Sequence, residues 1–308
     1  MTLDADLSAR AASPDEPRRR TLHIRPPHGP AELAAIEFGD SARPVDVVFL
    51  HANGFNAMTY RSVLAPLADR LHILGVDQQG HGLSIQRTAT EGRTNWSELR
   101  DDVVALLDSL EVGPFVLAGH SLGGVACLLG AAARPERVKA LALFDPVILS
   151  RQMIADIATG VGPAMADSPM VLGARRRRAV FPSRQVVVDS YRGRGAFKTW
   201  SEACLVDYVR DGFRDRPDGA VELACAPEWE ASNFAAHGLD PWPEMAKITS
   251  PVVVLRAEIG STCALTERSP LPAGNLDFRI ETVPGTTHFL PIERPELVRE
   301  TLLALAGS

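Results

Sequence analysis

Residues 119–123 read Gly-His-Ser-Leu-Gly, a G-x-S-x-G pattern. The apolar run Phe115, Val116, Leu117, Ala118 enters it, and Val125, Ala126, Cys127, Leu128 and Leu129 follow it. A strand, a tight turn and a helix in that order hold a serine hydroxyl at the tip of a sharp bend. Glycines are needed beside it because side chains there would collide with neighbouring backbone. The bare pattern arises by chance in about one chain in ten of this length, so its flanking strand and helix carry the reading. The chemistry open to Ser121 is nucleophilic attack, and its hydroxyl needs a base within hydrogen-bond reach.

Eight histidines are available. His288 follows the last strand-like run and precedes the last helix-like run. In a doubly wound sheet this puts it at the carboxyl edge beside the serine turn, where ligands also bind. His51 and His81 are expected to be structural hydrogen-bonding groups, and His120 to pack beside the turn. His23, His28, His72 and His237 read as surface or core residues. No His-Glu-x-x-His or Cys/His ligand spacing occurs, so the sequence implies neither a metal nor a cofactor.

These groups must be positioned by an alternating chain. Residues 31–39 read as an amphipathic strand and 45–50 as a buried β-branched run. A helix is expected over 60–70, a strand over 71–76, and an amphipathic helix capped by Asn95 that buries Trp96, Leu99, Val103 and Leu106. Strand 115–118, helix Leu122–Ala133 and strand Val138–Phe144 follow. After a break, strands over 251–255 and 277–283 and a helix over 295–305 resume the pattern. Alternation of this kind predicts an α/β fold with a mostly parallel, doubly wound sheet.

Several loops in this order carry a resemblance. His51-Ala52-Asn53-Gly54-Phe55 resembles a His-Gly loop after the third strand, Asp77-Gln78-Gln79-Gly80-His81-Gly82-Leu83-Ser84 an Asp-x-Arg-Gly-x-Gly-x-Ser loop, and Gly285-Thr286-Thr287-His288-Phe289 a histidine loop. With the serine turn, they resemble the α/β-hydrolase fold family, in its serine-nucleophile, esterase- and lipase-like branch with an inserted cap. The resemblance implies acyl-type hydrolysis. Relatives with aspartate at the turn, the dehalogenases and epoxide hydrolases, are disfavoured.

One position departs from that family. After strand 251–255 its members most often have Gly-x-x-Asp, whereas Ala257-Glu258-Ile259-Gly260-Ser261 puts glycine where the acid would fall. Two carboxylates remain: Glu258, two residues early, and Asp145, at the end of the preceding strand, a position that some members use. Either keeps the order serine, acid, histidine, and either meets the need to fix the imidazole tautomer. Asp145 is preferred. The same geometry gives an oxyanion hole from the backbone N–H groups of Leu122 and Asn53, with assistance from the Asn53 side-chain amide.

The chain of 308 residues is long for one domain. Residues 1–20 read as a disordered tail, 21–146 and 246–308 as the core, and 147–245 as a mainly helical cap inserted after the sixth strand. That cap should form a lid that sets substrate choice. Trp200, Tyr208, Phe213, Trp229, Phe234 and Trp242 are candidates to line a pocket, although each reads more readily as cap core. Arg175, Arg176, Arg177 and Arg178 read as a solvated helix face rather than a binding site for an anion.

Composition bounds the partners. With 32 basic against 38 acidic residues and a formal charge of −6, no polyelectrolyte surface for nucleic acid or anionic lipid is indicated. Residues 112–133 lack formal charge but are interrupted by Gly113, Pro114, Gly119, His120, Gly123 and Gly124, so no membrane span is expected. The N-terminal stretch mixes Asp4, Asp6, Asp15 and Glu16 with arginines and fails the pattern of a secretory signal. Four scattered cysteines fit a reducing, cytoplasmic setting. The expectation is a cofactor-free serine hydrolase of a small to medium apolar carboxylic ester or lactone, monomeric or homodimeric. Carbon–carbon bond hydrolysis or perhydrolysis on the same triad, or non-catalytic ligand binding, are the alternatives.

Overall fold

The structure, a computed structural model, describes residues 16–84, 88–161, 165–237, 239–270, 275 and 277–307. Its centre is an eight-stranded sheet built from β1 (Arg18–Ile24), β2 (Ala31–Phe38), β3 (Val47–Leu50), β4 (Ile73–Val76), β5 (Phe115–His120), β6 (Val138–Phe144), β10 (Val252–Ile259) and β11 (Phe278–Thr287), in the spatial order β1-β2-β4-β3-β5-β6-β10-β11. From β4 to β11 every pairing is parallel, while β1 and β2 pair antiparallel at one edge. Strands β3 and β4 are buried along their whole length because helices cover both faces of the sheet. Helices α1 (Ser97–Ser109) and α2 (Leu122–Ala133) bury Leu99, Val103, Leu106 and Leu128 in one apolar layer, and α8 (Pro295–Gly307) places Val298 and Leu302 in the other.

Two expectations need correction. The tail expected through residue 20 is overrun by β1, in which Arg18, Arg19 and Arg20 pair with Glu37, Ile36 and Ala35. Only Leu22 and Ile24 of that strand turn into the core, which leaves a faint hydrophobic signal. Its arginines are held by acids instead, Arg18 by Glu37 at 3.2 Å and Arg19 by Asp211. Residues 1–15 of the expected tail lie outside the described residues. The helix expected over 60–70 is broken into a 3-10 turn (Ala57–Tyr60), one α-turn (Arg61–Leu64) and a second 3-10 turn (Ala65–Leu67). Pro66 stands at that second break, where it has no N–H to give the ladder.

Residues 147–245 are mainly helical and also hold three short strands. Their helices α3 (Arg151–Thr159), α4 (Pro169–Arg175), α5 (Arg184–Tyr191), α6 (Glu202–Gly212) and α7 (Pro227–Ala235) are joined by an antiparallel three-stranded sheet of β7 (Val180–Phe181), β8 (Phe213–Asp215) and β9 (Val221–Leu223). These strands are too short to show an alternating pattern. Ser150, Ser168, Ser183 and Ser201 each cap the helix that follows by accepting a backbone N–H. The block has its own core, with Phe181, Val187, Leu205, Tyr208, Val209 and Phe213 in one cluster.

Helix α6 ties this block to the sheet. Arg19 of β1 donates to Asp211, Arg61 to Asp207 at 2.9 Å, and Arg210 to Glu16, while Asn56 Nδ2 donates to Tyr208 O at 3.0 Å. Asp211 is 4% exposed at its side chain, so removing its cation strands a buried charge. Arg19→Met is expected to lower stability by about 1–3 kcal/mol in urea unfolding, and Arg19→Met with Asp211→Asn to recover part of the loss. Equal stability of the single variant and the wild type would show that the pair contributes nothing.

Candidate active site

The turn between β5 and α2 is built as its sequence requires. Ser121 has φ 56° and ψ −118°, and the other described non-glycine residue with positive φ is Asp145, at 41°. Such backbone costs about 1–3 kcal/mol per residue and persists only where its surroundings hold it. The glycines leave room: a Cβ at Gly119 would lie 2.5 Å from the Gly123 carbonyl oxygen, and one at Gly123 would lie 2.4 Å from Leu50 O.

Ser121 Oγ donates to His288 Nε2 at 2.9 Å, and His288 Nδ1–H donates to Asp145 Oδ2 at 2.6 Å. The sequence-predicted serine, histidine and preferred acid are therefore in one hydrogen-bonded row. Asp145 is fully buried. Burial opposes its ionisation, but His288, the Ser261 hydroxyl and the Ala257 N–H outweigh this and hold its carboxyl below the usual range. Thr262 N–H adds a further bond at 3.1 Å. Glu258 lies elsewhere: it is exposed, and its Oε2 accepts the Gly285 N–H at 2.8 Å, beside a register shift between β10 and β11.

Sequence reasoning missed Ser261 and Thr262 as supports of the acid. The available signal was their place in the loop after β10, where the family acid is absent. The role of His120 was also underestimated. Its Nε2–H donates to the His288 carbonyl at 2.7 Å, which leaves Nδ1 to accept from Tyr60 OH at 2.7 Å, and that hydroxyl accepts the Ala52 N–H at 3.2 Å. One neutral ring thus joins the serine turn, the histidine loop and the loop after β3.

That loop holds Asn53. Its side chain faces α7: Nδ2 donates to Glu230 O at 2.9 Å, and Oδ1 accepts from Asn233 Nδ2 at 3.0 Å. The side-chain amide is thus engaged with the cap. Leu122 is the first residue of α2, where a backbone N–H has no acceptor within the helix. His81 Nε2 accepts the Gly54 N–H at 3.0 Å and His51 Nε2 the Gln78 N–H at 2.9 Å, so both serve as structural acceptors. Arg177 departs from a solvated helix face: it is half-buried and donates to Glu230 and, at 2.8 Å, to Tyr208 OH, behind the same loop. Arg175 pairs with Glu228 at the surface, and Arg178 stacks over Phe181.

A cavity of about 600 Å³ opens in front of Ser121. Asn53 and Leu122 border it, with Met153, Met165 and Phe234 from the cap. Of the six aromatic candidates, Phe234 is in its wall. Trp200, Tyr208 and Phe213 belong to the cap core, Trp229 donates to Gln79 O, and Trp242 to Leu149 O.

A mostly parallel doubly wound sheet with this serine turn at its carboxyl edge defines an α/β hydrolase. The chain belongs to the alpha/beta hydrolase family, whose pattern it matches over residues 47–301. It is 26% identical to a 2-(acetamidomethylene)succinate hydrolase of Mesorhizobium japonicum, over 83% of this chain and 86% of the relative. It is 32% identical to Esterase Rv0045c of Mycobacterium tuberculosis, over 51% and 48% of the two chains. A solved E-2-(acetamidomethylene)succinate hydrolase shares the fold with a TM-score of 0.71 at 20% identity, over 94% of this chain and 100% of that one. Family and relatives support a hydrolase role. Among the described residues no helix is long and apolar enough to cross a membrane.

Three buried histidines, His51, His81 and His120, and the half-buried His237 are expected to make stability depend on pH. Burial pushes His120 down to about 3, with His288 nearby adding to it, and pushes His81 and His237 to about 4 and His51 well below its ordinary value. Unfolded, each takes up a proton near pH 6.5 that the folded chain refuses, so stability falls as pH drops below about 6.5. Asp77, raised to about 7 by burial and by Asp211, acts in the opposite sense, as do the smaller upward shifts of His28 and Asp102. The four larger histidine shifts are expected to prevail. The urea midpoint should be lower at pH 5 than at pH 7.5, and a higher midpoint at pH 5 would contradict this account.

Proposed function

We propose that the protein is a serine hydrolase that cleaves a carboxylic ester or lactone of small to medium size through an acyl-enzyme. The row from Ser121 through His288 to Asp145, at 2.9 and 2.6 Å and open to a cavity of about 600 Å³, is the observation that carries this reading. Ser121 attacks the carbonyl while His288 Nε2 takes its proton, and Asp145 stabilises the imidazolium. The backbone N–H groups of Leu122 and Asn53 receive the developing oxyanion. His288 returns the proton to the leaving alcohol and then activates water, which discharges the acyl group. The names of the relatives agree with this class: an esterase and a 3-oxoadipate enol-lactonase stand beside the succinate-derivative hydrolase.

Ser121→Ala is expected to lower turnover of 4-nitrophenyl butyrate by about 10⁴-fold or more, and Asp145→Asn by a factor approaching 10⁴, because the imidazole loses its tautomer. Glu258→Gln should remain within about twofold, as an exposed carboxylate bonded to a loop N–H has no part in proton transfer. A fluorophosphonate should label Ser121 covalently. A folded protein that is never labelled and turns over no ester would instead be a binding protein.

A further inference from the structure

The cavity before Ser121 has a mostly apolar wall, with Met153, Met170, Phe234, Val147 and Ile148 among its lining residues. Arg256 is the one lining residue in the described set with a fixed charge. It lies on β10, half-buried, opposite Thr282 of β11. Its described hydrogen bonds go to neutral acceptors: Nε–H to Cys263 O at 3.3 Å and Nη1–H to Thr282 Oγ1 at 3.1 Å.

No described carboxylate forms an ion pair with Arg256, whereas Arg19, Arg61 and Arg177 each face an acid. Glu267 accepts the Thr282 N–H, the main reason its carboxyl lies below the ordinary value, and Arg256 is the smallest contributor. Residues 271–274 and 276, outside the described set, contain no acid by sequence. An arginine cannot shed its charge as a buried lysine does, and a cation beside an apolar cavity has lost part of its water. An anion brought by a ligand would restore that lost stabilisation, and the guanidinium fork matches a carboxylate in particular.

We propose that Arg256 is a carboxylate anchor, and that the ester taken by Ser121 carries a free carboxylate. The inference rests on the hydrolase reading and departs from the apolar ester or lactone expected from the sequence. The placement is specific. Arg256 holds the carbonyl of Cys263, and the adjoining Ser261 and Thr262 hold Asp145, all within one loop that lines the cavity. The anchored carboxylate therefore sits on the acid side of the triad, with the apolar cap wall left for the rest of the substrate.

The test compares mono-4-nitrophenyl esters of succinic, glutaric and adipic acids with the same esters capped as methyl esters. In the wild type, kcat/KM for at least one free acid should exceed that of its capped partner by about 10–100-fold, mainly through KM, as one charge-assisted pair allows. Arg256→Gln should bring that ratio close to one, and Arg256→Lys, which keeps the charge without the fork, should fall between. Free glutarate should compete with a neutral ester in the wild type. A wild-type ratio near one, or a preference that survives Arg256→Gln, overturns the anchor while leaving ester hydrolysis intact. The wild-type comparison decides even if Arg256→Gln fails to fold. If neither series is turned over and Ser121 resists fluorophosphonate, the hydrolase reading falls, and the anchor with it.

Discussion

A carboxylate with no solvent contact is the point on which the site turns. Asp145 directly follows β6 in a left-handed backbone conformation and is fully buried. A charge in that position is tolerable only if its oxygens are occupied. Its partners come from separated stretches: Ala257 N–H from β10, Ser261 and Thr262 from the loop beyond, and His288 from the loop after β11. Satisfying this one group fixes the ends of three neighbouring strands relative to one another. The orientation of His288 toward Ser121 follows from that fixation.

On the other side of Ser121 the constraint is steric and then polar. Gly123 allows α2 to start against the carbonyls of Leu50 and His51, which brings the end of β3 to the serine turn. The loop that follows β3 is then held from above. Asn53 is bonded to α7, Gly54 O accepts from Tyr208 OH, and Tyr208 in turn receives Arg177. Cap residues thus share in shaping the loop that borders the cavity beside Ser121, so the cap contributes to the geometry of the site as well as covering it. A largely desolvated Arg177–Glu230 pair behind a strand-end loop is costly unless its bonds are made, and here Glu230 takes the Nη1 group and Tyr208 the Nη2 group.

The legible parts of this arrangement were those written as local pattern. Strand 138–144 and helix 122–133 stand out because their apolar runs are bounded by glycine, proline or charge, and Ser121 and His288 because strand and helix flank them. Strand β1 was illegible because it buries only alternate residues among arginines whose partners lie in β2 and α6. The three short cap strands were hidden for a related reason: two or three residues cannot display a period of two. Arg177 looked like its three neighbours because burial of one arginine in a row depends on Glu230 and Tyr208, some distance along the chain. The supports of Asp145 were likewise non-local, although the missing family acid marked the loop that supplies them.

The departure from the usual acid position has a structural consequence beyond the Ser121–His288–Asp145 row. With the carboxylate on β6, the loop after β10 need not supply an acid to His288, and its residues are released to donate to one instead. Ser261 and Thr262 do so, and the chain then continues along the cavity wall through Cys263 and Ala264. That path carries the Cys263 carbonyl to the Arg256 guanidinium. Moving the acid one strand away keeps Asp145 matched to His288 and leaves the arginine to face the cavity, so the two charges are separated by the loop that both of them help to hold.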